Sequence, residues 1–368
     1  MAGPGEYHRR AASGVDDLVG SAARALAAHR VPGATLAVLV GEGVARSDGF
    51  GLRTAGTPTP MTSTTLLMGG SFAKLITALA SMRLVEWGEL DLDRDVNDYL
   101  RGWKVPHNGA SQAVVTLRQL LGHTSGAPGG GYAGYEPGAR LPSLSDILTG
   151  RSPANSPVVR ISGSPGKSFR YSGAGMTIVQ LLLEDLTGRS FGELMEQLVF
   201  APLGLRYSTF AQPLPRSLWS EAATGHDSDG VALPYRWPVH PELAAVGLWT
   251  TAGEIALVLA DLQRTWTADQ GVLVRRATLS EMLKRQAGGP VGLGLWPAGS
   301  GAELRLEHHG DCRGYVCHLV AYLALGIGAV VLTNGAGGAP VCTALVEAVA
   351  GAYAWPGAKE AGPSQISR

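Results

Sequence analysis

Ser71 and Lys74 stand three positions apart in Met68-Gly69-Gly70-Ser71-Phe72-Ala73-Lys74, ahead of an apolar run that continues to Trp87. On a helix, residues three apart share a face, so a hydroxyl and an amine at this spacing meet over one proton. A serine hydroxyl is a poor nucleophile until a base takes that proton, and a lysine serves as the base where burial lowers its pKa. Phe72, Leu75 and Ile76 supply apolar surroundings, and Gly69-Gly70 permits a close, sharp entry into the helix. Taken alone, the pair equally describes a helix N-cap with a solvated lysine. Ser164-Pro165-Gly166-Lys167 repeats the spacing, but its internal Pro and Gly forbid a helical turn and make it a loop.

The elements that must hold this pair follow from periodicity and breakers. Residues 16–30 read as a helix, and 34–40 with 44–51 as a hairpin turning at Gly41-Glu42-Gly43. The Ser71 helix stops at Gly88. Residues 116–122 form a short helix leading into His123-Thr124-Ser125-Gly126, and the Gly/Tyr/Pro-rich loop 129–142 is long enough to border a site. Helical periodicity returns at 176–186 and 191–200. Thr251 and Glu254 have capping-box spacing, which starts a helix from Ala252 to about Arg264. Strands are expected at 304–308, 315–323 and 328–333, and a closing helix at 341–353. Strands at both ends make the middle an insertion. The expected fold is α/β (α+β): an antiparallel sheet of N- and C-terminal strands flanked by helices, plus an inserted, mainly helical domain. The expected division is a discontinuous α/β domain at 15–89 and 237–355, a helical domain at 90–236, and flexible tails at 1–14 and 356–368.

The chain has 368 residues, 45% hydrophobic and 16% charged, which is a globular composition with room for a core. Thirty basic residues balance thirty acidic ones, so no electrostatic footprint points to nucleic acid or a membrane surface, and a small-molecule partner is expected. Residues 1–14 lack the apolar core of a signal peptide, and no apolar stretch is long enough to span a bilayer. Three cysteines without a CxxC pair suit reduced thiols. A cytoplasmic location is therefore expected, while the oligomeric state is left open.

In order along the chain, Ser71-Phe72-Ala73-Lys74, the segment 116–126 ending in His123-Thr124-Ser125-Gly126, Pro165-Gly166 with Tyr171-Ser172, Gly247-Leu248-Trp249-Thr250-Thr251, and His308-His309-Gly310 form a pattern. It resembles the serine β-lactamase-like hydrolases, closest to the branch of class C β-lactamases, D-Ala-D-Ala carboxypeptidases and esterases. The resemblance spans roughly residues 20–355. It implies Ser71 as nucleophile, Lys74 as its proton partner and Tyr171, the tyrosine of Y-x-N, as proton shuttle to the leaving group. It further implies that His308, from the H-x-G motif with Gly310, lines the pocket opposite Ser71. The oxyanion hole would be the backbone N–H groups of Ser71 and Asp311. Gly173 stands where Y-x-N has asparagine, so the amide that would meet a substrate carbonyl is missing. Poor β-lactam recognition is expected, with a gain on restoring asparagine.

Other readings compete residue by residue. Tyr171 alone would pass for a half-buried tyrosine. Of His308 and His309, adjacent on a strand, one faces the cleft. Asp311 and Cys312 near the histidines evoke a metal, but no further ligand spacing supports one, and neither metal nor cofactor is expected. His123 is expected to hold a turn. Trp103, Tyr132, Tyr135, Trp237 and Trp249 are candidates for an aromatic pocket or for plain core. Gly188-Arg189-Ser190-Phe191-Gly192 matches the G-x-S-x-G elbow of α/β-hydrolases, yet a helix rather than a strand precedes Ser190, so it reads as an inter-helix turn. The leading function is a serine hydrolase opening an ester or amide through a Ser71 acyl-enzyme, esterase-like rather than an efficient β-lactamase. The alternatives are an acyltransferase, transacylase or peptide cyclase using the same acyl-enzyme, and a catalytically silent binding protein.

Overall fold

A computed structural model describes residues 15–41, 43–106 and 114–356. The expected tails lie outside these residues, apart from Pro356 and its carbonyl, which accepts from the Tyr322 hydroxyl. In chain order, helix α1 (Val15–Ala28) leads into β1 (Gly33–Val40) and β2 (Gly43–Gly51), and a two-residue strand β3 (Leu67–Met68) delivers the chain to helix α2 (Phe72–Glu86). A mostly helical stretch follows, with α3 (Leu117–Leu121), α4 (Leu144–Thr149), α5 (Gly173–Thr187) and α6 (Phe191–Met195), the last continued by a π-helical turn (Glu196–Phe200). Short α7 (Leu243–Val246) and β4 (Trp249–Thr250) precede α8 (Ala252–Ala268) and α9 (Arg276–Met282). Strands β5 (Pro297–Ala298), β6 (Arg305–Cys312), β7 (Tyr315–Tyr322) and β8 (Ile327–Thr333) complete the sheet, and α10 (Gly338–Ala352) closes it.

The sheet order is β2-β1-β8-β7-β6-β5, with every neighbour pair antiparallel. The pairing of β1 with β8, which includes Ala34 opposite Thr333, joins the N-terminal strands to the C-terminal ones. All residues of β1 and of β8 are buried, because helices cover both faces. On one face Leu36, Val38, Val331 and Ala329 pack with α1 and α10. On the other, Ala37, Leu39, Val330 and Leu332 pack towards α8 and α2. Strand alternation divides the side chains between these layers.

Helix α2 is the centre of the larger layer. Twelve of its fifteen residues are buried, and it carries no polar stripe, as expected of a helix enclosed on all sides. Glu89 and beyond leave it through Gly88, whose φ of +76° suits glycine. Strand β6 runs to Cys312, further than the expected 304–308, so the His308-His309-Gly310 motif lies inside a strand rather than at its end. Helix α8 likewise continues past Arg264 to Ala268.

Candidate active site

Strand β3 pairs with β4, Met68 opposite Trp249 and Leu67 opposite Thr250, and the Gly69 N–H donates to the Leu248 carbonyl. The Gly247-Leu248-Trp249-Thr250-Thr251 block thus braces the chain just before Ser71. Gly70 then turns with φ +48°, and a Cβ there would stand 2.8 Å from the Asp311 carbonyl oxygen. Gly310 makes the approach from the other side: its Cβ would lie 3.0 Å from the Ser71 nitrogen and 2.6 Å from Cys317 Sγ. Two glycines therefore let β6 touch the start of α2. Among the described residues no carbonyl accepts from the Ser71 N–H, which faces this junction.

Ser71 is 5% and Lys74 3% exposed. Lys74 Nζ donates to Ser71 Oγ at 3.1 Å and to the Ala245 carbonyl of α7 at 2.7 Å. Tyr171 brings its hydroxyl to 2.7 Å from Ser71 Oγ, and Lys74 Nζ lies 4.9 Å from the centre of its ring. The sequence-predicted trio therefore meets at one oxygen. By contrast Ser164 and Lys167 lie in a loop, and Ser190 caps α6 by accepting from the Glu193 N–H, with the Glu193 carboxylate returning the bond.

Tyr171 is held from behind. Ser172 caps α5, accepting from the Gly175 N–H and donating to the Pro128 carbonyl. His123, at φ +54°, accepts the Ser172 N–H on Nδ1 and lays its ring 4.7 Å from that of Tyr171. Burial, aided by the Lys74 charge, lowers its pKa to about 3, so the imidazole stays a neutral acceptor. It holds a turn, and the turn holds the tyrosine.

A cavity of about 870 Å³ opens beside the trio, within the size range of small-molecule sites. Gly130, Gly131 and Tyr132 of the long loop form one wall, and Asp311, Cys312 and Arg313 at the end of β6 form another. His308 is not part of that lining. Its ring is 6% exposed, sandwiched between Phe72 and Trp296 at 5.7 Å from each, so it packs the wall from behind. Burial first, and then the Lys74 charge, holds its pKa well below 6.5. Cys312 lines the cavity, but burial raises its thiol pKa and keeps it protonated. Of the expected aromatics, Tyr132 lines the cavity, while Trp237 and Trp249 stack edge-to-face in the core. Trp296, which the sequence reading passed over, packs 6.0 Å from Tyr171. No motif surrounds it, so nothing local marked it.

Gly173 begins α5, and a Cβ there would meet the Gly130 carbonyl at 3.0 Å and Tyr132 Cε2 at 3.1 Å. The Tyr132 hydroxyl is fixed to Thr177 at 2.8 Å. Tyr132 thus fills the space into which an asparagine side chain would project.

The Beta-lactamase family model matches residues 19–352. The chain is 29% identical over 329 residues to "Penicillin-binding protein 4" of Amycolatopsis lactamdurans, covering 83% of this chain and 82% of that one. The structure resembles the octameric penicillin-binding protein homologue from Pyrococcus abyssi, with TM-score 0.76, 25% identity, and 91% and 76% of the two chains covered. It also resembles the D-alanine carboxypeptidase AmpC from Burkholderia cenocepacia, with TM-score 0.69, 20% identity, and 92% and 99% covered. With a matching family model over nine-tenths of its length and a nucleophile, amine and phenol gathered at one oxygen, the chain belongs to the Beta-lactamase family.

Proposed function

We propose that the protein is a serine hydrolase that opens an ester or amide through a Ser71 acyl-enzyme. The observation that carries this reading is the meeting of Lys74 Nζ and the Tyr171 hydroxyl on one Ser71 oxygen, at the edge of a cavity. Ser71 Oγ attacks the acyl carbonyl as its proton passes to the neutral amine of Lys74, either directly or through Tyr171, which takes the Ser71 proton while handing its own to Lys74. The developing oxyanion takes hydrogen bonds from the Ser71 and Asp311 amides, which the glycine contact between α2 and β6 brings together. Tyr171 returns the proton to the leaving group, and water then attacks the acyl-enzyme with the same groups reversed. A pre-assembled trio argues against a silent binding protein. Tyr132 in place of an asparagine side chain favours esters over β-lactams, since a substrate amide carbonyl finds no side-chain donor there.

Intact-protein mass after a fluorophosphonate tests the reading. One adduct is expected, mapped to Ser71 and abolished in Ser71→Ala, whereas an adduct on Ser190 would overturn it. On one preparation, p-nitrophenyl butyrate should turn over well and a chromogenic cephalosporin poorly. A second reading, acyl transfer to an amine or alcohol, draws support from the cavity volume beyond Ser71 and its charged rim of Asp227, Asp311 and Arg313. Added amines that divert the acyl group without slowing release of p-nitrophenol would favour it.

A further inference from the structure

Glu307, His309 and His318 gather on the sheet face that turns away from Ser71. Glu307 and His309 are two apart on β6, and His318 is the ladder partner of His309 on β7. Strand alternation puts all three on one side, with His308 on the other. The two imidazoles stack, centroids 3.8 Å apart and planes 17° from parallel. Glu307 Oε1 lies 3.9 Å from His318 Nε2, and one ligand atom from each residue falls within 4.8 Å of the others.

These groups want partners. His318 is 5% exposed, yet among the described residues neither of its ring nitrogens is hydrogen-bonded, and the same holds for His309 Nε2. Buried polar atoms left unpaired call for an unseen partner such as water or an ion. Burial lowers the pKa of His318 to about 3 and depresses that of His309, so their lone pairs are free at neutral pH. Arg305 donates to the other oxygen of Glu307, Oε2, at 3.3 Å. It orients the carboxylate much as an outer partner orients a metal ligand, with Oε1 turned to His318.

We propose that Glu307, His309 and His318 bind one divalent transition-metal ion, Zn²⁺ foremost, with water as the fourth ligand. Two imidazoles and a carboxylate form a donor set that suits Zn²⁺, and because their lone pairs lie in the ring planes, the two stacked imidazoles turn out of their parallel stack to aim one nitrogen each at the ion. The ion would tie β6 to β7 just before Gly310 and Asp311. The site is independent of the acyl-enzyme chemistry, because its ligands face the opposite layer.

The test uses untagged, metal-stripped protein dialysed against micromolar Zn²⁺ and counted by elemental mass spectrometry, with thermal unfolding in parallel. One ion per chain and a raised Tm are expected. His309→Gln and Glu307→Gln should each weaken binding by more than about tenfold, since loss of even an outer-shell partner costs that much. Exposed His29→Gln should change nothing. Fluorophosphonate labelling of Glu307→Gln, whose carboxyl is partly exposed, shows that the variant has folded. Zn²⁺ lost on dialysis, or retained equally by wild type, His309→Gln and Glu307→Gln, overturns the proposal.

Discussion

Lys74 divides its donors between the Ser71 oxygen and the Ala245 carbonyl, so its head is pinned at both ends rather than free to swing. Replacing it with alanine removes the proton partner, and Tyr171→Phe removes only the hydroxyl 2.7 Å from the nucleophile. Each should slow acylation by roughly 10²–10⁴-fold in stopped-flow p-nitrophenol release, the usual worth of a positioned acid–base group. Wild-type rates in Tyr171→Phe would leave the tyrosine a packing role. Gly173→Asn, expected from sequence to gain cephalosporin turnover, meets Gly130 and Tyr132 instead. We therefore expect no gain from it alone, and a gain only when Tyr132→Ala accompanies it, measured as kcat/KM. A gain from Gly173→Asn alone would show that the loop gives way. Ser71, Lys74 and Tyr171 were legible because helix spacing and motif survive in one dimension. The filling of the asparagine space by Tyr132 was not, because forty-one positions of chain separate it from Gly173.

Secondary structure shows the same split between local and distant signals. Thr116 and Ser190, neither marked as a cap in the sequence, both form full capping boxes with the residue three positions on. Ser190→Ala should cost about 1 kcal/mol in urea unfolding while the fluorophosphonate label is kept, as suits a cap rather than an elbow nucleophile. Loss of the label would return Ser190 to the chemistry. Thr251 caps α8 as its spacing implies, accepting from the Glu254 N–H, but the Glu254 carboxylate does not turn back. It takes the N–H groups of Arg206, Tyr207 and Ser208 and the Ser208 hydroxyl, tying an incoming loop to the helix that follows β4. Glu254→Ala strands the buried Ser208 N–H and hydroxyl at about 1–3 kcal/mol each, so its urea midpoint should fall further than that of Ser190→Ala. An equal or smaller loss would mean that water reaches those groups. Likewise, the His309–His318 contact depends on strand register across a hairpin, which periodicity does not encode.

Across the whole molecule, buried histidines set the response to acid. His123 accepts the Ser172 N–H on Nδ1, and His226 accepts the Ala55 N–H on Nε2, so a proton on either ring removes an acceptor. Burial lowers the His123 pKa to about 3 and that of His240 to about 4, and it depresses His226 as well. The unfolded chain binds these protons below about pH 6.5 while the fold refuses them. Stability should therefore fall from pH 6.5 towards 4 by about 1.4 kcal/mol per pH unit for each of His123 and His240, with His226 adding in the same direction. Glu242 opposes one of them over the same range: burial raises its pKa to about 7, and the fold keeps a proton that the unfolded chain releases above about pH 4.5. Urea midpoints at pH 7 and 5 check the net sign, and a flat or rising profile towards acid would contradict it. The sheet carries another consequence, which concerns time. Ala34 pairs with Thr333, so during synthesis β1 emerges with β2 for a partner on one edge and waits for almost the entire chain to supply the other. At the usual pace of translation that wait is about 15 to 60 seconds. Throughout it, a strand whose every residue belongs in the interior shows a free edge to the cell. Whatever shields that edge must act while the chain is still on the ribosome, before any Ser71 has a cavity beside it.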